Sequence, residues 1–190
     1  MKKMLIIALV FFAKSAFAQK DTIGVNVPFV NNTVVFERVF NVPNTPKNLL
    51  YSNAEIWMAE NHPYIVSTQL TMNDPAISRV LGIANASVQQ HDKVLWETQY
   101  YYDNFKFTVQ IDCKDNAYRI RIYDIQDVSG TTYTPVDYMM QSLINGKSLT
   151  LDNGAVMKKQ NLQTCLKGLN TVVNNVMAQI SDHIMADNSF

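Results

Sequence analysis

Hydrophobic and polar side chains alternate strictly between Phe105 and Lys114. Phe105, Phe107, Val109, Ile111 and Cys113 fall on one side; Lys106, Thr108, Gln110, Asp112 and Lys114 fall on the other. A period of two marks a half-buried strand. Asp115 and Asn116 follow, residues that tolerate the positive φ of a tight turn. With these two as the turn, Lys114 pairs with Ala117, Cys113 faces Tyr118, Ile111 faces Ile120 and Val109 faces Ile122 on the core side. Asp112 then faces Arg119, and Gln110 faces Arg121, on the other side. A slip of one residue would turn every apolar side chain outward, so the register is strongly specified. By that register Asp124 falls inward, opposite Phe107. The strand is expected to leave the sheet there, because a buried unpaired acid is costly.

The rest of the chain supplies the neighbours that a hairpin needs. Residues 19–32 read as an extended lead-in with a turn at Asn31 and Asn32. Residues 33–42 read as a strand with Val34, Phe36, Phe40 and Val42 on one face. Thr45 as N-cap and Pro46 at the first helical position start a helix running to about Asn61, with Leu50, Ala54, Trp57 and Met58 on one stripe. Residues 66–72 and 77–89 read as strands. In the second, Val80, Gly82, Ala84, Ala86 and Val88 share a face whose small residues suit close packing of a helix. Residues 90–93 read as a polar turn, and residues 94–102 as the lead into the hairpin, with a bulge at Asp103 and Asn104. Thr134 and Pro135 open a further helix, which Asn145 and Gly146 end. Residues 155–186 form a long helix whose stripe includes Leu162, Cys165, Leu166, Leu169, Val172, Val173, Val176, Ile180 and Ile184. Strands follow one another after the first helix, giving the order β-α-β-β-β-β-α. This favours α+β over a doubly wound sheet.

Three stretches carry a family resemblance: VVFERVFNVPNTPKNLLYSNAEIWMAEN, the glycine-containing strand VLGIANASV, and the hairpin FTVQIDCKDNAYRIRIYDI. In these the chain resembles a family of exported proteins of Bacteroidetes-type bacteria with a TBP-like fold, over roughly half its length. Leu81 and Ile83 flanking Gly82, and the long C-terminal helix, depart from the family pattern. The resemblance implies a curved antiparallel sheet with helices on one face and a TBP-like core over residues 33–128; the pattern above gives the sheet about five strands and adds a helical part over residues 134–186. It implies no activity, and the DNA binding of the TATA-box-binding protein does not follow from a shared fold.

Charge and the chain start narrow the function classes. Lys2 and Lys3, an apolar run from Met4 to Ala13, and small residues at Ala16 and Ala18 form an export signal, with cleavage expected after Ala18. That run is shorter than the roughly 20 residues of a membrane-spanning helix, so no span is expected in the mature chain. Removing Lys2, Lys3 and Lys14 leaves 13 basic against 16 acidic residues, a net charge of −3. Nucleic-acid binding relies on a basic footprint, which is missing. Residues 33–190 suit one α+β domain, and 47% hydrophobic residues suffice for a core.

No nucleophile elbow, phosphate-binding glycine loop, H-E-x-x-H or EF-hand loop occurs. His62, His91 and His183 have no metal-ligand spacing, so neither metal nor cofactor is expected. Cys113 and Cys165 lie on apolar faces and make a candidate disulfide in an oxidising compartment. The hairpin's solvent face presents Lys106, Gln110, Arg119, Arg121 and Tyr123, where arginine beside tyrosine suits recognition of a protein or glycan. Trp96 with Tyr100, Tyr101 and Tyr102 is a second candidate surface. The expected function is a non-catalytic binding or interaction module of the cell envelope, in the periplasm or outside the cell. Two alternatives remain open: a small-ligand or lipid carrier with a pocket between the sheet and the C-terminal helix, and a hydrolase whose site is assembled from distant residues.

Overall fold

The computed structural model describes residues 24–60, 62, 65–94, 97–130, 133–151 and 154–186. The expected export signal, residues 1–18, lies outside them. In chain order the elements are β1 (Phe29–Val30), β2 (Thr33–Val34), β3 (Phe36–Asn41), α1 (Lys47–Ala59), β4 (Ile65–Asp74), β5 (Arg79–Val94), β6 (Glu97–Lys114), β7 (Ala117–Asp127), β8 (Thr134–Pro135), α2 (Val136–Ile144), β9 (Leu149–Thr150), β10 (Val156–Met157) and α3 (Lys159–Ala186). The main sheet is antiparallel in the order β3-β7-β6-β5-β4, with β8 joining the end of β7. β1 and β2 pair across Asn31 and Asn32, whose positive φ values of 52° and 62° make the expected turn.

The β6–β7 register is the one the alternation dictates: Lys114 pairs with Ala117, Cys113 with Tyr118, Ile111 with Ile120 and Val109 with Ile122. Asn116 supplies the positive φ of the turn, 65°. Asp124 does not turn inward. It takes a φ of 52° at a β-bulge where the register shifts between Lys106 and Thr108, and it is exposed. The extra residue resets the phase, so Ile125 and Asp127 face the core instead. The predicted bulge at Asp103 and Asn104 is absent, since β5 and β6 pair there without a shift. Residues 90–93 are strand, not turn: their pairing with β6 outweighs their turn-like composition.

All three helices cover the face carrying Phe105, Phe107, Val109, Ile111, Ile120 and Ile122, which are at most 1% exposed. Leu50, Ala54, Trp57 and Met58 of α1 meet Val80, Ala84 and Ala86 of β5 in that core. The approach is close at Gly82, where a Cβ would lie 2.5 Å from Met58 Sδ and 2.9 Å from the Gln69 carbonyl oxygen. Two buried polar contacts fix α3: Tyr118 Oη donates to Ser181 Oγ at 2.9 Å, and Asn53 Nδ2 to the Ile184 carbonyl at 3.1 Å.

The helix starts differ from expectation. α1 begins at Lys47 with Pro46 at the N-cap, and the Thr45 hydroxyl does not cap it. Asp115, from the β6–β7 turn, accepts from the Lys47 amide at 2.9 Å instead. α2 likewise starts after Pro135, and Asp137 in its first turn accepts from the Val34 amide at 2.6 Å. It ends as expected, with Gly146 at a φ of 69° and the Lys147 amide donating to the Ser142 carbonyl. α3 starts at Lys159 rather than Ala155, because Val156 and Met157 pair with β9. β4 is an edge strand with Val66, Leu70 and Met72 exposed, and its register is broken twice by bulges.

Candidate functional site

The helix-free face of the sheet divides into two parts. At the β6–β7 turn end the predicted residues form a closed network. Asp112 accepts from Arg79 Nε at 2.5 Å, Arg119 Nη2 at 2.8 Å and Gln110 Nε2 at 2.8 Å. Burial pulls the Asp112 carboxyl upward, but the hydrogen bonds from Arg119 and Arg79 outweigh it and hold the group below the usual carboxylate range. Glu37 of β3 lies 3.1 Å from Arg121 Nε and 3.8 Å from Arg119 Nη1, ion pairs whose oblique geometry makes no directed hydrogen bond. The Arg121 guanidinium sits 5.5 Å from the Tyr123 ring centroid, and Tyr123 Oη donates to Gln110 Oε1 at 3.2 Å. Gln110 is only 5% exposed beneath this cover. Arg119, Gln110 and Tyr123 are therefore engaged with one another through Asp112, while Arg121 is held by the Glu37 ion pair and the Tyr123 ring with its Nε–H unpaired.

Lys106 belongs to the other part. Its Nζ lies 6.0 Å from the Tyr133 ring centroid, at the rim of a cleft of about 630 Å³. Ser67, Thr68 and Gln69 of β4, Ile83 and Asn85 of β5, and Val128, Gly130 and Tyr133 complete the lining. Asn85 Nδ2 donates to Ser67 Oγ at 2.9 Å, which leaves the amide oxygen and its second N–H for a ligand. Outward phase on β5 and β6 was the available signal for Asn85 and Lys106. Ser67, Gln69 and Tyr133 reach the cleft only through the strand order.

A buried acidic cluster underlies the same end of the sheet. Asp103 is 8% and Asp127 7% exposed, and the Cys165 thiol on α3 donates to Asp127 Oδ2 at 4.0 Å. Burial, then the neighbouring Asp127 charge, pushes the Asp103 carboxyl up to about 6, against hydrogen bonds from Gln90 and Cys165. Burial and the two carboxylates push the Cys165 thiol well up, and burial pushes Cys113 up to about 12. Neither is a thiolate at neutral pH, so neither has the nucleophilic form. Asp103 has the same strand phase as Phe105 and Phe107, a signal that sequence reading passed over.

The candidate disulfide is not formed: Cys113 and Cys165 are free buried thiols. Cys113 sits beside the β6–β7 turn, whereas Cys165 lies against Asp103 and Asp127. Ten residues of β6 separate the two places, roughly 30 Å at strand rise, far beyond the roughly 7 Å Cα limit for a disulfide.

The structure also brings together two histidines treated separately above. His62 stacks on Trp57 at 4.6 Å between centroids, and its Nε2 donates to the Trp57 carbonyl at 2.6 Å. His183 meets His62 edge-on at 6.2 Å and places Nδ1 3.6 Å from Glu60 Oε2. Among the described residues no group of three or more His, Cys, Asp or Glu is arranged to hold a metal, and no helix is long and apolar enough to cross a membrane. Trp96 and the side chains of Tyr100 and Tyr101 lie outside the described residues; Tyr102 is 58% exposed.

An antiparallel sheet with its helices on one face and a polar cleft on the other defines an α+β protein of TBP-like fold. The model of a domain of unknown function (DUF4468) with TBP-like fold matches residues 36–127, and the chain belongs to that family. A DUF4468 family protein from Bacteroides ovatus superposes with a TM-score of 0.61 at 13% identity, covering 87% of this chain and 95% of that one. A TBP-like protein from Parabacteroides distasonis superposes with a TM-score of 0.54 at 16% identity, covering 83% and 96%. At these identities the likeness concerns the fold. No protein of curated function matches the sequence.

Proposed function

We propose that the protein is a non-catalytic binding module of the cell envelope that holds a polar ligand in the cleft between Lys106 and Tyr133. One observation carries the reading. The cleft joins amide, hydroxyl and ammonium groups that keep hydrogen-bonding capacity to a tyrosine that is 67% exposed, on three paired strands. Its volume falls within the roughly 300–1,000 Å³ of small-ligand sites. The carrier alternative is less well supported, because the α3 stripe facing the sheet is packed: Leu166, Leu169, Val173 and Val176 are fully buried. Both thiols are in their unreactive form, which favours binding over covalent chemistry. Export rests on the N-terminal sequence alone.

Amide NMR of the mature chain against a polar fragment library tests the site. Shifts at Gln69, Asn85 and Lys106 that vanish in Tyr133→Ala are expected; hits confined to other surfaces would refute it. Intact mass of protein from the periplasmic fraction should start at Gln19, and uncleaved cytoplasmic protein would refute export.

A further inference from the structure

The geometry points to an acidic saccharide as the ligand class of the cleft, an inference that rests on the binding reading above and narrows it. Among the described residues the lining holds one cation, Lys106, and no carboxylate. A ligand with a negative group is thus attracted without a repelling partner. Arginine, the residue suited to bidentate phosphate recognition, is absent from the lining, and the arginines of this face are committed to Asp112 and Glu37.

The neutral groups match sugar chemistry. Gln69 and Asn85 offer planar amides that donate and accept, as vicinal hydroxyls require, and Ser67 holds Asn85 in place. The exposed Tyr133 ring offers a flat apolar surface to the C–H face of a pyranose. Tyr102 lies on the same face by the unbroken β5–β6 register and is 58% exposed. Four residues of strand from Lys106 place it about 13 Å away, so a second exposed ring lies beyond the cleft on the same face of β6. This spacing suits a short chain rather than one sugar. An extended peptide is the competing ligand: β5 and β6 are paired on both sides, so strand addition has only the outer edge of β4, on the side away from β5, and hexaglutamate tests that alternative.

The test uses the mature full-length chain and three probe sets: tri- to hexamers of galacturonate and glucuronate, cellotriose to cellohexaose, and hexaglutamate. Calorimetry gives affinity, and amide NMR gives location. The uronate oligomers should bind at the cleft more tightly than the neutral ones. Lys106→Gln should erase that preference, about fivefold at low salt for one screened charge pair. Tyr133→Ala should weaken both sugar classes about tenfold while leaving the circular dichroism spectrum unchanged. Equal binding of uronate and neutral oligomers would overturn the acidic assignment. Hexaglutamate binding in the cleft with every saccharide silent would overturn the sugar class and leave the site standing. Silence at the cleft from all three sets, and from the fragment library, would overturn the site as well.

Discussion

Replacing Asp103 by Asn should change how stability depends on pH, in a direction the burial of that carboxyl fixes. In the folded protein the group is pushed from 3.8 up to about 6 by burial and by Asp127. Between those values the native state holds a proton that the unfolded chain has released. The stability this group contributes is therefore fully present below about pH 4 and lost as pH rises through about 6. A displacement of that size corresponds to about 3 kcal/mol. Relaxation of the surroundings around the charged form offsets part of it, so about 1–2 kcal/mol is the expected change. Asparagine is neutral throughout and close in shape. The variant's stability relative to wild type should rise by about 1–2 kcal/mol between about pH 4.5 and 7.5. Urea unfolding followed by far-ultraviolet circular dichroism at steps across that interval measures it, with the m-value checking that the unfolded state is unchanged. A difference that stays flat with pH, or that falls as pH rises, would show that Asp103 does not titrate as a buried acid.

Asp112→Asn should show the opposite slope. Its carboxyl is held low by Arg119 and Arg79, so its contribution, about 2 kcal/mol for charge-assisted bonds, is present above about pH 4 and lost as pH falls further; the same unfolding series reads it. Gly82→Ala should destabilise by about 1–3 kcal/mol, because a Cβ would meet Met58 and the Gln69 carbonyl; thermal melts check this. Asp115→Ala should cost about 1 kcal/mol through the lost cap on Lys47, measured by urea midpoint. Iodoacetamide near pH 8 should leave both cysteines unlabelled in native protein and label both in urea without prior reduction; a requirement for reductant would show a disulfide.

The hairpin was legible because strict alternation and a two-residue turn leave one register that keeps Val109, Ile111, Ile120 and Ile122 inside. The bulge at Asp124 was not, because alternation on either side of an extra residue looks continuous until the partner strand is known. Thr45 has the composition of a helix cap, but the side chain of Asp115, 68 residues beyond Lys47, takes that role. The polar run at 90–93 resembles a turn and is held straight by β6. Of the candidate surface, Lys106 was found by phase alone. The cleft it borders needed the order β4-β5-β6, which joins Ser67, Asn85 and Lys106 in a row that no local pattern contains.

The clasp at the β6–β7 turn bears on how the chain folds. Val42 donates to the Asn116 carbonyl at 2.8 Å, Asn116 donates to the Thr45 carbonyl at 2.9 Å, and Asp115 holds the Lys47 amide. The first turn of α1 is thereby fastened to a loop made much later in synthesis. On the ribosome, the first turn of α1 lacks these contacts until that loop closes. Loop closure and the start of the helix are thereby joined across a long sequence separation, the kind of contact whose loop entropy must be met before it stabilises the fold.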